Sequence, residues 1–242
     1  MCLAAFLFSA LSTNAQMISP TSGQSANSKK LERSVAKSLD ELNFDPALAP
    51  FYHGVASGDP LANRVIIWTR RTPSDDETSY QLAWQMATDP DFDNVVRQGR
   101  LDATAAVDYT AKVDVGQLQP GTTYYYRFYD FDSQVISVIG RTRTAPEGDA
   151  DHLRFAVVSC QNYQAGYFNA FRKIAERADL DAVLHLGDYI YEYGSGEGTY
   201  GYSEDRADRA NLPAVETVTL VDYRTRYSLY RLDADLREAH RQ

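Results

Sequence analysis

The sequence predicts a mixed protein in two successive parts. An antiparallel β-sandwich occupies residues 44–148, and an α/β unit built on parallel strands occupies 149–242. Three observations predict this. From Phe51 onward, short apolar segments repeat with a period of two and are separated by turn residues, as in sandwiches. A polar hinge follows at Pro146 to Asp151. Beyond it, an apolar strand, a helical pattern and a second apolar strand succeed one another within about 30 residues, which is a βαβ unit.

Composition bounds the function. The chain has 242 residues, 44% hydrophobic and 24% charged, within the globular norm, so it holds one large domain or two ordinary ones. With 24 basic against 33 acidic residues the net charge is −9. No general nucleic-acid binding is expected, because that needs a basic face. An anionic substrate would be repelled unless local basic groups or bound cations reverse the sign. Beyond position 16 no apolar run reaches the length of a membrane span, so no transmembrane segment is expected. Cys2 and Cys160 are the only cysteines, too few for a disulfide framework.

The elements follow in chain order. Leu3 to Leu11 is a short apolar run closed by Thr13-Asn14-Ala15, the pattern of a signal peptide over 1–15 although a positive n-region is missing. It predicts a secreted or periplasmic protein. Residues 16–43 read as a polar linker and one short helix carrying Leu31, Val35, Leu39 and Leu42. Strands are then expected at Val65 to Trp68, Leu82 to Met86, Tyr109 to Val115, Tyr124 to Phe128 and Val135 to Ile139, with turns at Gly58-Asp59-Pro60 and Gln119-Pro120-Gly121. Tyr124, just after the Pro-Gly turn, suits a tyrosine corner, whose phenol bonds back to the upstream backbone. With the closing Gly140 to Pro146 segment, this resembles a fibronectin type III module.

In the second part, Leu153 to Val158 reads as a strand buried on both faces, Ala165 to Ala178 as a helix, and Asp181 to Leu186 as a second buried strand. Tyr223, Tyr227 and Tyr230 mark one more helix. Ligands of open α/β sheets bind at the carboxyl ends of the strands. The first strand runs out into Ser159-Cys160-Gln161-Asn162 and the second into Gly187-Asp188-Tyr189-Ile190-Tyr191-Glu192. Parallel pairing would bring Cys160, Asp188 and the Tyr191 phenol to one edge. A lone Cys after a strand also reads as a small buried hydrophobe, and Asp after Gly as a turn former. His185 reads as a packed, hydrogen-bonded histidine. Gly194 to Gly201 lacks the Gly-Lys-Ser/Thr ending of a phosphate loop and reads as a mobile surface loop. Eight of the 17 tyrosines fall between positions 189 and 230, most of them readable as packing or loop anchors.

Several motifs in order resemble the alkaline phosphatase D-type (PhoD-like) metallophosphatases. They are Phe51 to Pro60 with Val65 to Arg70, Phe155 to Gln161, Leu184 to Glu192, and Asp222 to Arg231. The resemblance implies a calcineurin-like α/β metallophosphatase domain that hydrolyses phosphate mono- and diesters at a cluster of ferric iron and calcium. By position, Cys160 and Tyr191 resemble iron ligands, and Asp188 resembles the carboxylate bridging iron and calcium. Phenolate suits ferric iron and carboxylate oxygen suits calcium. Further ligands that the family places downstream, in a Trp-Asp-Asp-His-Glu-like segment and C-terminal histidines, are absent, so the resemblance implies an N-terminal fragment with a truncated catalytic domain, inactive alone. Two other readings stay open: a hydrolase with Cys160 as nucleophile and His185 as base, and a non-catalytic secreted sandwich that only binds.

Overall fold

A computed structural model describes Ala4–Ala5 and residues 42–242. The expected short helix and most of the apolar N-terminal run lie outside the described residues. Eleven strands and three α-helices are described. The strands are β1 (Ala4–Ala5), β2 (Val55–Leu61), β3 (Arg64–Arg70), β4 (Ser79–Ala87), β5 (Val95–Thr104), β6 (Thr110–Val115), β7 (Thr123–Asp130), β8 (Val135–Ile136), β9 (Gly140–Arg143), β10 (Phe155–Val158) and β11 (Ala182–His185). The helices are α1 (Asn169–Ala175), α2 (Leu220–Arg231) and α3 (Ala234–Arg241).

Two antiparallel sheets form the first part. One has the order β2-β3-β6, the other β5-β4-β7-β8, with β9 also paired to β7. Period-two patterning explains the burial: Tyr124, Tyr126, Phe128 and Asp130 of β7 point inward, and Thr123, Tyr125, Arg127 and Tyr129 alternate with them. Val65, Ile67, Leu82, Met86, Val115 and Phe128 fill the shared core. The Gln119 N–H donates to the Tyr124 phenol at 2.8 Å, so the bond expected at that corner forms.

Two sequence expectations fail here. Gly58-Asp59-Pro60 is no turn between strands; it lies inside β2, where the register shifts between Gly58 and Leu61 and Asp59 takes φ 47°. A bulge uses the same residues as a turn, so the two look alike in sequence. The edge strand β5 was not anticipated, because its inward face carries Gly99 and Ala103 and gives little apolar signal. Gly99 is needed there: a Cβ would stand 2.9 Å from the Trp84 indole nitrogen.

The second part is a short parallel sheet, β1-β11-β10, with helices on one side. Phe168, Phe171, Ile174, Leu180, Val183, Tyr230, Leu236 and Ala239 form its core. The strand β10 is not buried on both faces as its apolar run suggested. Ala156 and Val158 pack toward the helices, while Phe155 and Val157 stay 48% and 57% exposed. Alternation aims these side chains at the face that no described residue covers. The first helix is also shorter than Ala165 to Ala178, being preceded by a 3₁₀ turn at Tyr163–Ala165. The helix expected around Tyr227 and Tyr230 is α2, opened by a capping box between Thr219 and Asp222. Its neighbour α3 went unseen in the sequence because only Leu236, Ala239 and His240 are buried along it.

Helix α2 also meets the sandwich. Ser228 hydrogen-bonds the His53 ring, Arg231 donates to the His53 carbonyl at 2.9 Å, and Tyr227 meets Trp68 edge-on. Arg241 of α3 donates to the Ile139 carbonyl at 3.0 Å. No helix among the described residues is long and apolar enough to cross a membrane.

Candidate metal centre

The site forms where β10 and β11 end side by side. Pairing persists past the strands: Leu186 N–H donates to Val158 O at 2.9 Å, Cys160 N–H to Gly187 O at 3.1 Å, and Gln161 N–H to Asp188 O at 3.1 Å. Cys160 and Asp188 are thereby locked to the same edge. Both take the left-handed conformation, φ 61° and 54°. A non-glycine residue there costs on the order of 1–3 kcal/mol, and such strain concentrates at functional sites. The sequence pointed to Gly187 as the tight point, and its φ is 129°, yet the residues on either side of the pairing bear the same kind of strain.

The three candidate donors converge on one oxygen. The Cys160 thiol donates to Asp188 Oδ2 at 3.4 Å, and the Tyr191 hydroxyl donates to the same oxygen at 3.1 Å. Cys160 is exposed and unpaired. Partial burial, then hydrogen bonding to Cys160 and Asp188, holds the Tyr191 phenol above its ordinary pKa. Among the described residues no three His, Cys, Asp or Glu side chains gather into a metal site. The third donor here is a phenol. Thiol, carboxylate and phenol within 3.4 Å of one oxygen fit a single small, highly charged cation. They do not complete a calcium shell of about 6 to 8 oxygens, toward which Asp188 alone offers a carboxylate.

His185 sits where a packed histidine was expected. Its ring meets Tyr189 at 5.2 Å, and its Nδ1 accepts from the Gly187 N–H at 3.3 Å. Burial lowers its pKa, opposed by the Asp188 charge. The thiol's hydrogen bond goes to Asp188, so the geometry lends nothing to a Cys160–His185 nucleophile pair.

Sequence reasoning missed the residues that hold this edge in place. Gln161 donates to Tyr189 O at 2.8 Å, and buried Gln164 donates to Gly194 O at 3.1 Å and Tyr200 O at 2.7 Å. The glycine-rich stretch is thus pinned at both ends rather than free. It brings Tyr200 to 5.8 Å from the Tyr191 ring, and Tyr193 stacks on Tyr191 at 6.0 Å and lies 5.2 Å from Tyr200, so the three rings form one cluster. Arg226 and Tyr230, also missed as site residues, bind the backbone of Tyr191. Apolar periodicity cannot single out buried Gln and Arg. The available signal was that Gln161, Arg226 and Tyr230 fall within the motif segments Phe155 to Gln161 and Asp222 to Arg231.

Comparison with known proteins gives the family of the chain. Residues 34–146 match the family described as PhoD-like phosphatase, N-terminal domain, and residues 155–242 match the PhoD-like phosphatase family. Alkaline phosphatase D of Bacillus subtilis (strain 168) is 38% identical over 210 residues, covering 83% of this chain and 35% of the relative. The solved structure of PhoD superposes with a TM-score of 0.73 at 38% identity, over 81% of this chain and 38% of that one. The chain thus spans about a third of the length of the curated relative it matches. The resemblance drawn from the motifs is borne out, and the chain belongs to the PhoD-like phosphatase family.

Proposed function

We propose that this chain supplies the first metal-binding edge of a phosphohydrolase that cleaves phosphate mono- and diesters. One observation carries the proposal: the Cys160, Asp188 and Tyr191 side chains meet around Asp188 Oδ2 at the carboxyl ends of two parallel strands. Cys160 and Tyr191 would hold ferric iron, and Asp188 would bridge it toward calcium. When bound, such cations offset the protein's negative charge, orient the phosphate and provide a hydroxide near neutral pH. The residues themselves present the donors on a strained, hydrogen-bonded edge that needs little rearrangement to receive a cation. Three donors cannot serve an iron and calcium ions together. The 242-residue chain is therefore expected to turn over little ester, which an assay with a chromogenic monoester and diester after iron and calcium loading would check.

Ferric titration tests the ligand assignment. Tyr191→Phe should abolish a visible phenolate-to-iron charge-transfer band, while Cys160→Ser and Asp188→Asn should lower bound iron about tenfold or more, as when a metal shell loses a contributor. Spectrum and metal content unchanged in all three variants would overturn it.

The sandwich is read as fibronectin III-like, supported by its two antiparallel sheets, of three and five strands, and the Tyr124 bond to Gln119. Residues 44–148 and 149–242 are read as the two folded domains of the chain. Export is read from the Leu3–Ala15 pattern. Cleavage after Ala15 would remove β1 from the parallel sheet and leave Gln16 as the first residue of extracytoplasmic protein, and an intact Met1 on cytosolic protein would refute it.

A further inference from the structure

We propose that Arg226 and Tyr230, one turn apart on α2, are the positioning residues of Tyr191: together they bind both polar groups of its backbone and so set where its phenol stands beside Cys160 and Asp188. The metal half of this proposal rests on the ligand reading above; the backbone half does not.

Tyr191 lies outside helix and strand, so neither its N–H nor its carbonyl has a ladder partner. Both turn to α2. The Tyr191 N–H donates to the Tyr230 hydroxyl at 3.3 Å, and the Tyr191 carbonyl accepts from Arg226 Nη1. The spacing of four places Arg226 and Tyr230 on one helix face.

Neither residue is explained by packing alone. Arg226 is fully buried, and its hydrogen bonds go to four backbone carbonyls: Tyr191, Tyr193 (2.9 Å), Leu212 (3.0 Å) and Pro213 (2.9 Å). A buried guanidinium with no carboxylate in hydrogen-bond contact is costly, and an apolar side chain of similar length would fill the volume. What arginine adds is a rigid fork of donors, here gathering two loop strands around Tyr191. Tyr230 is likewise fully buried, and its oxygen accepts a second N–H, that of Tyr163, at 3.0 Å. Tyr163 stands three residues beyond Cys160, so one phenol ties the loops after both strands together. Helix α2 is itself held by its capping box and by Ser228 and Arg231 against the sandwich. It therefore positions the donor edge from a fixed support, as a precise metal site requires.

The test uses the full chain carrying Tyr230→Phe, Arg226→Met or Arg226→Lys, with two readouts. In metal-free protein, amide hydrogen exchange at Tyr191 and Tyr163 should quicken about fivefold or more in Tyr230→Phe, the equivalent of one lost hydrogen bond. Exchange across the sandwich strands should not change. On ferric loading, the phenolate-to-iron band should shift or lose about half its intensity in Tyr230→Phe and Arg226→Met, a change comparable to those that outer partners impose on metal sites. Arg226→Lys should recover part of what Arg226→Met loses. Unchanged exchange at Tyr191 in Tyr230→Phe overturns the proposal. So does an unchanged band, where Tyr191→Phe abolishes it. If the wild-type chain shows no such band, or keeps it in Tyr191→Phe, the ligand reading fails instead, and exchange alone decides the backbone half. Should Arg226→Met not fold, Tyr230→Phe and Arg226→Lys carry the test.

Discussion

The sandwich and the parallel sheet bury their strands by different rules. In the sandwich, each strand needs one covered face, and the opposite sheet covers it, so Tyr124, Tyr126 and Phe128 disappear from solvent while their neighbours stay accessible. In β10 the sequence is apolar on both faces, yet helices cover only one. Phe155 and Val157 face outward, and beyond β11 Leu186 is 73% exposed. The lesson is that an antiparallel segment announces its own partner face, whereas a parallel one demands two layers and leaves a visible deficit where only one is present.

The largest expected difference between the two regions concerns ion pairs. Arg71 and Asp130 are both buried in the sandwich, 3.3 Å apart. Arg71→Met should leave Asp130 charged and desolvated, costing about 3–5 kcal/mol in urea unfolding. Arg172 and Asp235, linking α1 to α3 near the surface at 2.8 Å, should matter far less to stability on Arg172→Met, because solvent screens the exposed pair. Equal losses would erase the contrast.

Acid should act next, at the seam between the regions. His53 and His240 are buried, and burial pushes both well below the ordinary histidine value, with Arg70, Arg231 and Arg237 adding to it at His53 and Arg231 and His185 at His240. The unfolded chain then binds more protons as pH falls below about 6.5, so stability should decline by about 1 kcal/mol per pH unit for each histidine. Urea midpoints measured from pH 7.5 to 5.5 would show this, and His53→Gln should remove part of the slope. A flat profile would mean the seam is not dry.

The smallest effects compare single side chains. Tyr124→Phe removes the bond from Gln119 N–H and should cost about 1 kcal/mol. Val157→Thr, on the open face, should stay within about 0.5 kcal/mol while improving solubility. A cost at Val157 above that at Tyr124 would show that the face is covered in solution.

Much of the candidate site was legible because strand ends carry it. Cys160 and Asp188 could be paired from two apolar runs and the rule for parallel sheets, and Tyr191 from the motif that follows. What escaped was the support: Gln161, Gln164, Arg226 and Tyr230 reach backbone atoms far away in sequence, and no local pattern records such partners. The same holds for β5 and α3, whose inward faces are too short or too polar to register as periodic.

By itself, the sequence determined the change from period-two strands to a βαβ unit, the corner at Tyr124, and the meeting of Cys160, Asp188 and Tyr191 at the strand ends. These follow from alternation, turn chemistry and strand polarity, all of which act over a few residues. Only the tertiary structure decided which faces stay open, that Gly58 to Pro60 continues a strand, and that α2 grips Tyr191. Those outcomes depend on which distant group satisfies a buried backbone N–H or carbonyl, and that choice is made by packing in three dimensions.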